Sequence, residues 1–489
     1  MAPSWPERFR AAHGRAPRIL HIGNVANFAY ANAALQRRFG VDAEVIDPDS
    51  YHIMAHPAWA EAPIAGEWGD DFNPDWSRVS TGGWQAPDWF AQGPRDLVLA
   101  FAAARGRGDE GEARRIRLAI EGASWRRASL LRHARRFLRG GRMPAWLAPL
   151  RTAARAFAYR APETAVGGPA PAQSAVADAP PEIASLARAP GLGEAMGGYD
   201  IVQGYALGAV YGLAAGHPAV AAVELGTLRG MPFEDSARGR LCAWTYRRSH
   251  AVLVTNSDCM AQAAALGIPP ERRHPMLHPF DTDKAAQPEK GERKQTPYFL
   301  APARHHWREG SASFLKGNNR WIAAAARLAR ENRDFRIVTI RWGEDWEASR
   351  ALIAEHGLEG RTTWLAPLSR ARLEPLMRGA CAVIDQFAAA SLGGLGLETL
   401  AMGGRLVTRY DEAAGALYFR TPPPLLGCAG VDDAADAMRR CLDDPDDAAR
   451  LGARARAWMK GEHGVERQMT EQFAVFEAML AQGEKRCAS

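Results

Sequence analysis

The stretch that most constrains the fold of this 489-residue chain runs from Cys381 to Gly404, CAVIDQFAAASLGGLGLETLAMGG. It opens with a short apolar run, Ala382-Val383-Ile384, which reads as a buried strand, and closes with Leu397 to Met402, which reads as the start of a helix. Gly393, Gly394 and Gly396 lie between them. Glycines placed where a strand turns into a helix let a ligand come close to the backbone, and the free amides and dipole of the helix start then favour an anion such as a phosphate. Glu398 falls just inside that helix, where its carboxylate either stabilises the helix start or accepts two hydrogen bonds from a ribose diol. Asp385-Gln386 at the strand end reads as a turn former or as a pair of polar groups for the same ligand.

The same order of events opens the chain. Arg18 to Gly23 (RILHIG) reads as a strand and loop, Asn24 to Gly40 as a helix, and Val41 to Ile46 as a second strand. A strand, glycine loop, helix, strand succession is the beginning of a doubly wound α/β domain, in which ligands collect beyond the carboxyl ends of the strands. Gly23, Asn24 and Asn27 are thereby placed at a cleft. Asp49 to Pro94, rich in Trp, Pro, Asp and Gly without periodicity, reads as an ordered loop region, as a structural cover or as part of an acceptor site. Strands resume at Tyr199 to Gly204, Val220 to Glu224 and Ala251 to Asn256. Glu224 and Arg229 follow the second of these and point to the cleft or to each other. The charged run Asp283 to Gln295 reads as an interdomain linker. Beyond it come the strand Pro297 to Leu300, Arg304 in the following loop, and Lys316-Gly317 before a helix. Two cations flanking such a connection neutralise a pyrophosphate leaving group, or else are surface charge. His274, His278, His305 and His306 lack zinc spacing, and no D-x-D pair suggests a metal-dependent transferase.

The segment Ala390-Ser391-Leu392-Gly393, followed by Glu398-Thr399-Leu400-Ala401-Met402-Gly403, resembles the donor motif of GT-B glycosyltransferases, specifically retaining glycosyltransferase family 4. That family's usual form is Glu-Gly-Phe-Gly, four residues, then Glu followed by Ala-Met-Ala. The resemblance implies an α/β GT-B fold, two Rossmann-like doubly wound domains facing a central cleft. It implies that Glu398 holds the ribose, that Gly393 and Gly394 lie against the donor phosphates, and that Arg304 and Lys316 neutralise the leaving group. Asp385 and Gly23 belong to the same donor site. Ala390 stands where the family has its first Glu, so the usual sugar contact is missing there. The resemblance is strongest from Arg304 to Asp411 and fails across about Asp49 to Pro190.

Composition is that of a soluble globular protein, 47% hydrophobic and 24% charged. The sequence has neither an apolar run long enough to span a membrane nor an apolar leader, and its six cysteines have no paired spacing, so a reducing cytoplasmic setting is expected. Net charge is +6, but Arg105 to Arg160 holds fifteen arginines and no lysine against four acidic residues, an excess of eleven that leaves the remainder at −5. Its periodic apolar positions make it a basic amphipathic stretch, suited to an anionic membrane surface on the inner face or to a solvated face; no nucleic-acid motif accompanies it.

Together these readings predict an acceptor-side domain over 1–290 with a basic insertion at about 105–190, a nucleotide-sugar domain over 291–460, and a helix over 461–489 crossing back to the first domain. The expected activity is metal-independent, retaining glycosyl transfer from a nucleoside-diphosphate sugar to a saccharide, lipid-linked or other acceptor. No cofactor is expected, and Asn24, Asn27, Glu224 and Arg229 are the acceptor-side candidates. A sugar-nucleotide epimerase on the same fold is one alternative. A catalytically degenerate, membrane-associated sugar-nucleotide-binding protein is the other.

Overall fold

The protein is described from a computed structural model, which covers residues 3–64, 68–123, 179–285, 296–308 and 315–488. Most of the basic amphipathic stretch, the Pro/Ala/Gly run after it and most of the interdomain linker lie outside the described residues.

Short runs of β-branched and aliphatic residues become strands. The first group is β1 (Arg18–Ile22), β2 (Asp42–Pro48), a two-stranded hairpin of β3 (Gly69–Asp70) and β4 (Asn73–Pro74), β5 (Phe90–Gly93), β6 (Ile201–Tyr205), β7 (Val220–Glu224), β8 (Ala251–Val254) and β9 (Arg273–Pro275). The second group is β10 (Tyr298–Ala301), β11 (Arg336–Ile340), β12 (Thr362–Leu365), β13 (Ala382–Ile384), β14 (Leu406–Thr408) and β15 (Leu426–Gly427). Outside the hairpin every ladder is parallel, in the orders β5-β2-β1-β6-β7-β8-β9 and β12-β11-β10-β13-β14-β15. Strands β6, β7, β8, β10 and β13 are buried along their whole length, because helices cover both faces of each sheet. The expected α/β class with two doubly wound sheets is therefore present. In each sheet the order reverses at one place, between β1 and β6 and between β10 and β13. The loops leaving these strands form the crevices where such sheets bind ligands.

Several elements differ from the sequence reading for physical reasons. The helix after β13 begins at Gly394, with Gly393 extended at its N-cap, so Glu398 stands in its second turn. Gly396 serves packing: a Cβ there would lie 2.6 Å from the Leu392 side chain and 3.0 Å from Leu406, which lets the helix settle onto β14. The helix expected from Asn24 starts at Phe28 instead. Val25–Asn27 forms a separate 3-10 turn in which Ala26 and Asn27 take positive φ, so the chain cannot enter an α-helix before Phe28.

Residues 49–94 contain more structure than their composition announces. Ile53, Ala58, Trp59, Ala62, Ile64 and Trp68 form a small core of their own, with Trp342 of the second sheet's layer packed against it. The Ile64 amide donates to Ser369 Oγ (3.1 Å), and Arg372 Nε donates to the Pro63 carbonyl (3.3 Å). The segment is thus a strap from the first sheet's domain onto the second. The last helix, Val465–Ala488, places Val465, Met469, Phe473 and Phe476 in the first domain's core beside Trp5 and Phe9. Among the described residues, no helix is long and apolar enough to cross a membrane.

Candidate functional site

Lys316 and Arg304 both lie in the connection that leaves β10. Lys316 is pinned on both sides of its backbone: its amide donates to the His306 carbonyl (2.6 Å), and its carbonyl accepts from the Phe387 amide (2.7 Å). Gly317 follows with φ +70°, and a Cβ on it would meet the Phe387-Ala388 backbone at about 3.2 Å. This turn requires glycine, and it aims the lysine at the loop after β13. There the ammonium donates to Gln386 Oε1 (2.9 Å), while Asp385 is close enough to favour its charged form. Burial pulls the Lys316 pKa down, and Asp385 opposes that shift. Burial pushes the Asp385 carboxyl up, against Lys316. Arg229 and Arg304 also act on Lys316 electrostatically, both disfavouring its charge. Lys316 and Asp385 therefore share a poorly solvated space at the second sheet's switch point, with Arg229 and Arg304 near enough to act on the lysine's charge.

The loop from Asp385 to Gly393 completes this wall. Gln386 Nε2 donates to the Ser391 carbonyl (3.0 Å), and Gly393 lies against Asp385 and Gln386. No side chain caps the helix Gly394–Ala401, so its first amides point to the crevice without an intrahelical acceptor. In the second turn, Glu398 Oε1 lies 3.1 Å from Arg370 Nε, and burial raises its pKa against the Arg370 charge. Arg370 in turn stacks over Phe280, 5.3 Å from the ring centroid. A ribose diol on Glu398 would share the carboxylate with Arg370.

Arg304 is held from the other domain. Its Nη2 lies 3.2 Å from His52 Nε2 and 2.8 Å from Met54 Sδ, both on the strap, and its guanidinium stacks 4.4 Å from the Trp342 ring. Asp71 accepts from Trp68 Nε1 (2.8 Å) and from Trp342 Nε1. One strap carboxylate thus ties together indoles of both domains and sets the ring on which Arg304 lies. Arg304, Trp342, Trp346, His306, Trp68, Phe72 and Asp71 are among the residues lining a cavity of about 470 Å³ between strap and second domain. Lys316, Gly393 and Glu398 do not line it.

The first-domain residues expected at the site fall into two groups. Arg229 joins the cluster, reaching Ser391 Oγ across the cleft at 3.4 Å. It pairs with Asp258 (2.7 and 2.9 Å) rather than with Glu224. Asn24, Asn27 and Glu224 are turned inward, and Gly23 is half-buried. The Gly23 amide is taken by the Ile46 carbonyl (2.9 Å). Asn24 is 1% exposed and spends its groups on Asp47, Asn27, Ala55 and Tyr30, while the Asn27 amide donates to the His56 carbonyl. Glu224 is fully buried, accepting from the Gly226 amide and from Asn256 Nδ2 (3.1 Å). A charge at a strand's carboxyl end faces a cleft only if no nearer donor claims it, and here two do. Arg105, counted in the basic stretch, is likewise committed to Glu44 (2.6 Å) and Glu110. Asp258, Ser391, Arg370, His52 and Asp71 were missed. Asp258 follows the end of β8 and Ser391 precedes Gly393, positions that mark a cleft; nothing local marks the other three. Among the described residues, no group of three or more His, Cys, Asp or Glu side chains is placed to hold a metal ion.

Residues 308–474 match a protein-family profile described as glycosyl transferase-like. A 2-deoxystreptamine glucosyltransferase of Streptomyces kanamyceticus is 27% identical over 175 residues, 35% of this chain and 44% of that protein, so the match spans less than half of the relative's length. A glycosyltransferase from Rickettsia africae superposes over 95% of this chain and 98% of its own at 11% identity, with a TM-score of 0.48. An Anabaena protein crystallised with UDP and glucose superposes over 58% and 80% at 15% identity, with a TM-score of 0.47.

Proposed function

We propose that this protein is a GT-B glycosyltransferase of the family 4 type, moving a sugar from a nucleoside-diphosphate sugar to a hydroxyl-bearing saccharide or lipid-linked acceptor with retention of configuration. The observation that carries this reading is Lys316 held on the loop after β13, beside the uncapped helix start at Gly393-Gly394 with Glu398 one turn further on, while Arg229 reaches the same loop at Ser391. Cleavage of a sugar-phosphate bond builds negative charge on the leaving diphosphate, and fixed cations in a water-poor space stabilise that charge without reorganising. The ammonium of Lys316 and the guanidinium of Arg304 supply it from one side, and the helix amides from the other. Glu398 is assigned to the ribose diol. Asp385 favours the charged form of Lys316 against the effect of burial, so its assigned role is indirect. Side-chain cations carry the neutralisation in this scheme, and no metal ion or cofactor is invoked. The match of residues 308–474 to a glycosyl transferase-like profile supports the same assignment for the second domain. The glucosyltransferase relative supports a hexose as the sugar transferred.

We place the protein in the cytoplasm, where thiols stay reduced, a setting that suits the buried Cys242, Cys259, Cys428 and Cys441. We assign the part of Arg105 to Arg160 beyond Arg105 itself to an anionic membrane surface. Leu118, 64% exposed among arginines, begins such a face within the described helix 110–123.

The test is release of nucleoside diphosphate from a panel of UDP-, GDP- and ADP-hexoses, with and without EDTA, the anomer of any product being read by NMR. The reading predicts turnover of one donor class, unchanged by EDTA and giving a retained anomer. Interconversion of the donor sugar without release of the diphosphate would assign an epimerase instead.

A further inference from the structure

We propose that Arg229, on the first domain, is a third diphosphate-binding cation, so that the donor's anion site is completed only across the cleft. This rests on the donor-site reading above and adds a residue to it from the opposite domain.

Arg229 lies in the short 3-10 turn that follows β7, at the carboxyl edge of the first sheet. A guanidinium has five N–H donors in a fixed plane. Asp258 takes one from Nε (2.7 Å) and one from Nη2 (2.9 Å), a two-point grip that sets the plane, and Ser391 Oγ receives the other from Nη2 at 3.4 Å. The two on Nη1 have no acceptor among the described residues, and the side chain is 25% exposed. Nη1 lies against the Cα of Gly226, where a Cβ would stand 2.5 Å from it. The glycine thus leaves room for the guanidinium at this spot.

Ser391 begins the turn into Gly393 and the uncapped helix start, and its carbonyl accepts from the same Gln386 amide group whose oxygen holds Lys316. Arg229, Ser391, Gln386 and Lys316 therefore form one connected chain from the first domain to the second. An anion at the Gly393-Gly394 amides would meet a fixed guanidinium with open donors on one side and an ammonium on the other. A two-phosphate group has enough oxygens to satisfy both, whereas the nucleoside is assigned to Glu398 on the second domain.

That division supplies the test. Dissociation constants of UDP, GDP and ADP and of the matching nucleosides are measured for the full-length wild type, Arg229→Met, Arg229→Lys, Lys316→Ala and the double variant Arg229→Met with Asp258→Asn, which leaves no unpaired carboxylate behind. For the nucleotide the wild type prefers, we expect both Arg229→Met proteins to bind the nucleoside within about twofold of wild type. The diphosphate should bind about 10- to 100-fold more weakly, the size of one lost charge-assisted hydrogen-bonded contact. Arg229→Lys should recover part of the loss. A purely structural arginine would shift nucleoside and diphosphate together. The proposal alone is overturned if Lys316→Ala lowers the diphosphate-to-nucleoside ratio while the Arg229 variants leave it unchanged. If the wild type shows no preference for any diphosphate, the donor-site reading falls and this proposal with it.

Discussion

Lys316 illustrates how a reactive charge is kept in a folded protein. Its ammonium sits where burial disfavours it, held by Gln386 and opposed in that shift by Asp385, and under the proposed function this setting would favour a developing anion beside it. Lys316→Met, close in volume and without charge, should lower kcat about 100-fold or more with little change in acceptor KM, as for loss of one preorganised donor. A second residue-scale expectation concerns pH. His21 is fully buried between Tyr205 Oη (3.0 Å) and Gln36 Oε1 (2.9 Å), and burial pulls its pKa down to about 4. Because the folded value lies below the unfolded one, near 6.5, its contribution is complete above pH 6.5 and is lost as pH falls toward 4. Urea midpoints at pH 7.5 and pH 5 should show the wild type losing about 2 kcal/mol more than His21→Gln over that interval. At this scale Arg304 lies apart, in the cavity under the strap with His52 and Trp342, while the placing of Lys316, Asp385 and Arg229 near one another was legible. Glu224 was not, because its donors, Gly226 and Asn256, come from the turn and from the next strand's end. Arg370 pairs with Glu398 from a different helix, so no spacing in the sequence announces it.

The strap over residues 49–94 is the element whose role was least visible. Its strands are two to four residues long and its core is built from scattered tryptophans, so neither helical nor strand periodicity marks it. Trp59, 7% exposed, lies 5.5 Å from the Trp68 ring and 5.4 Å from Trp342, which itself carries Arg304. Trp59→Ala should loosen the strap by about 3–5 kcal/mol. Limited proteolysis should then cut within 49–94 many times faster, while the global unfolding midpoint moves much less. Equal losses in both would mean that the strap unfolds only with the whole protein. The helix Gly394–Ala401 shows the opposite case. Its existence was plain from glycines followed by an apolar run, but its first turn was hidden because glycines weaken a helical pattern.

At the level of the whole molecule, the alternation of strands and helices was enough to foresee two doubly wound sheets, since that succession admits few other arrangements. What joins them was less apparent. Besides the strap, Tyr418 Oη donates to the Val254 carbonyl (2.9 Å), and Gln468 pairs with both backbone groups of Phe280 (2.8 and 3.1 Å). Such contacts link residues more than 160 positions apart and leave no local trace. The helix Val465–Ala488 is part of the first domain's core although it follows the second in sequence. Phe476→Ala, fully buried there, should cost about 3–5 kcal/mol and lower the cooperative midpoint of the first domain. The central claim is that the switch point of the second sheet binds a nucleoside diphosphate through Glu398 and its neighbouring cations. The direct measurement is the thermal shift of wild type and Glu398→Ala against UDP, GDP, ADP and CDP. At a ligand concentration 100 times Kd, binding to the native state alone adds about 2.7 kcal/mol of stability. The account predicts that one of these nucleotides raises the wild-type midpoint by several degrees and that Glu398→Ala loses most of that response. A wild type indifferent to all four, or an undiminished response in the variant, would contradict it.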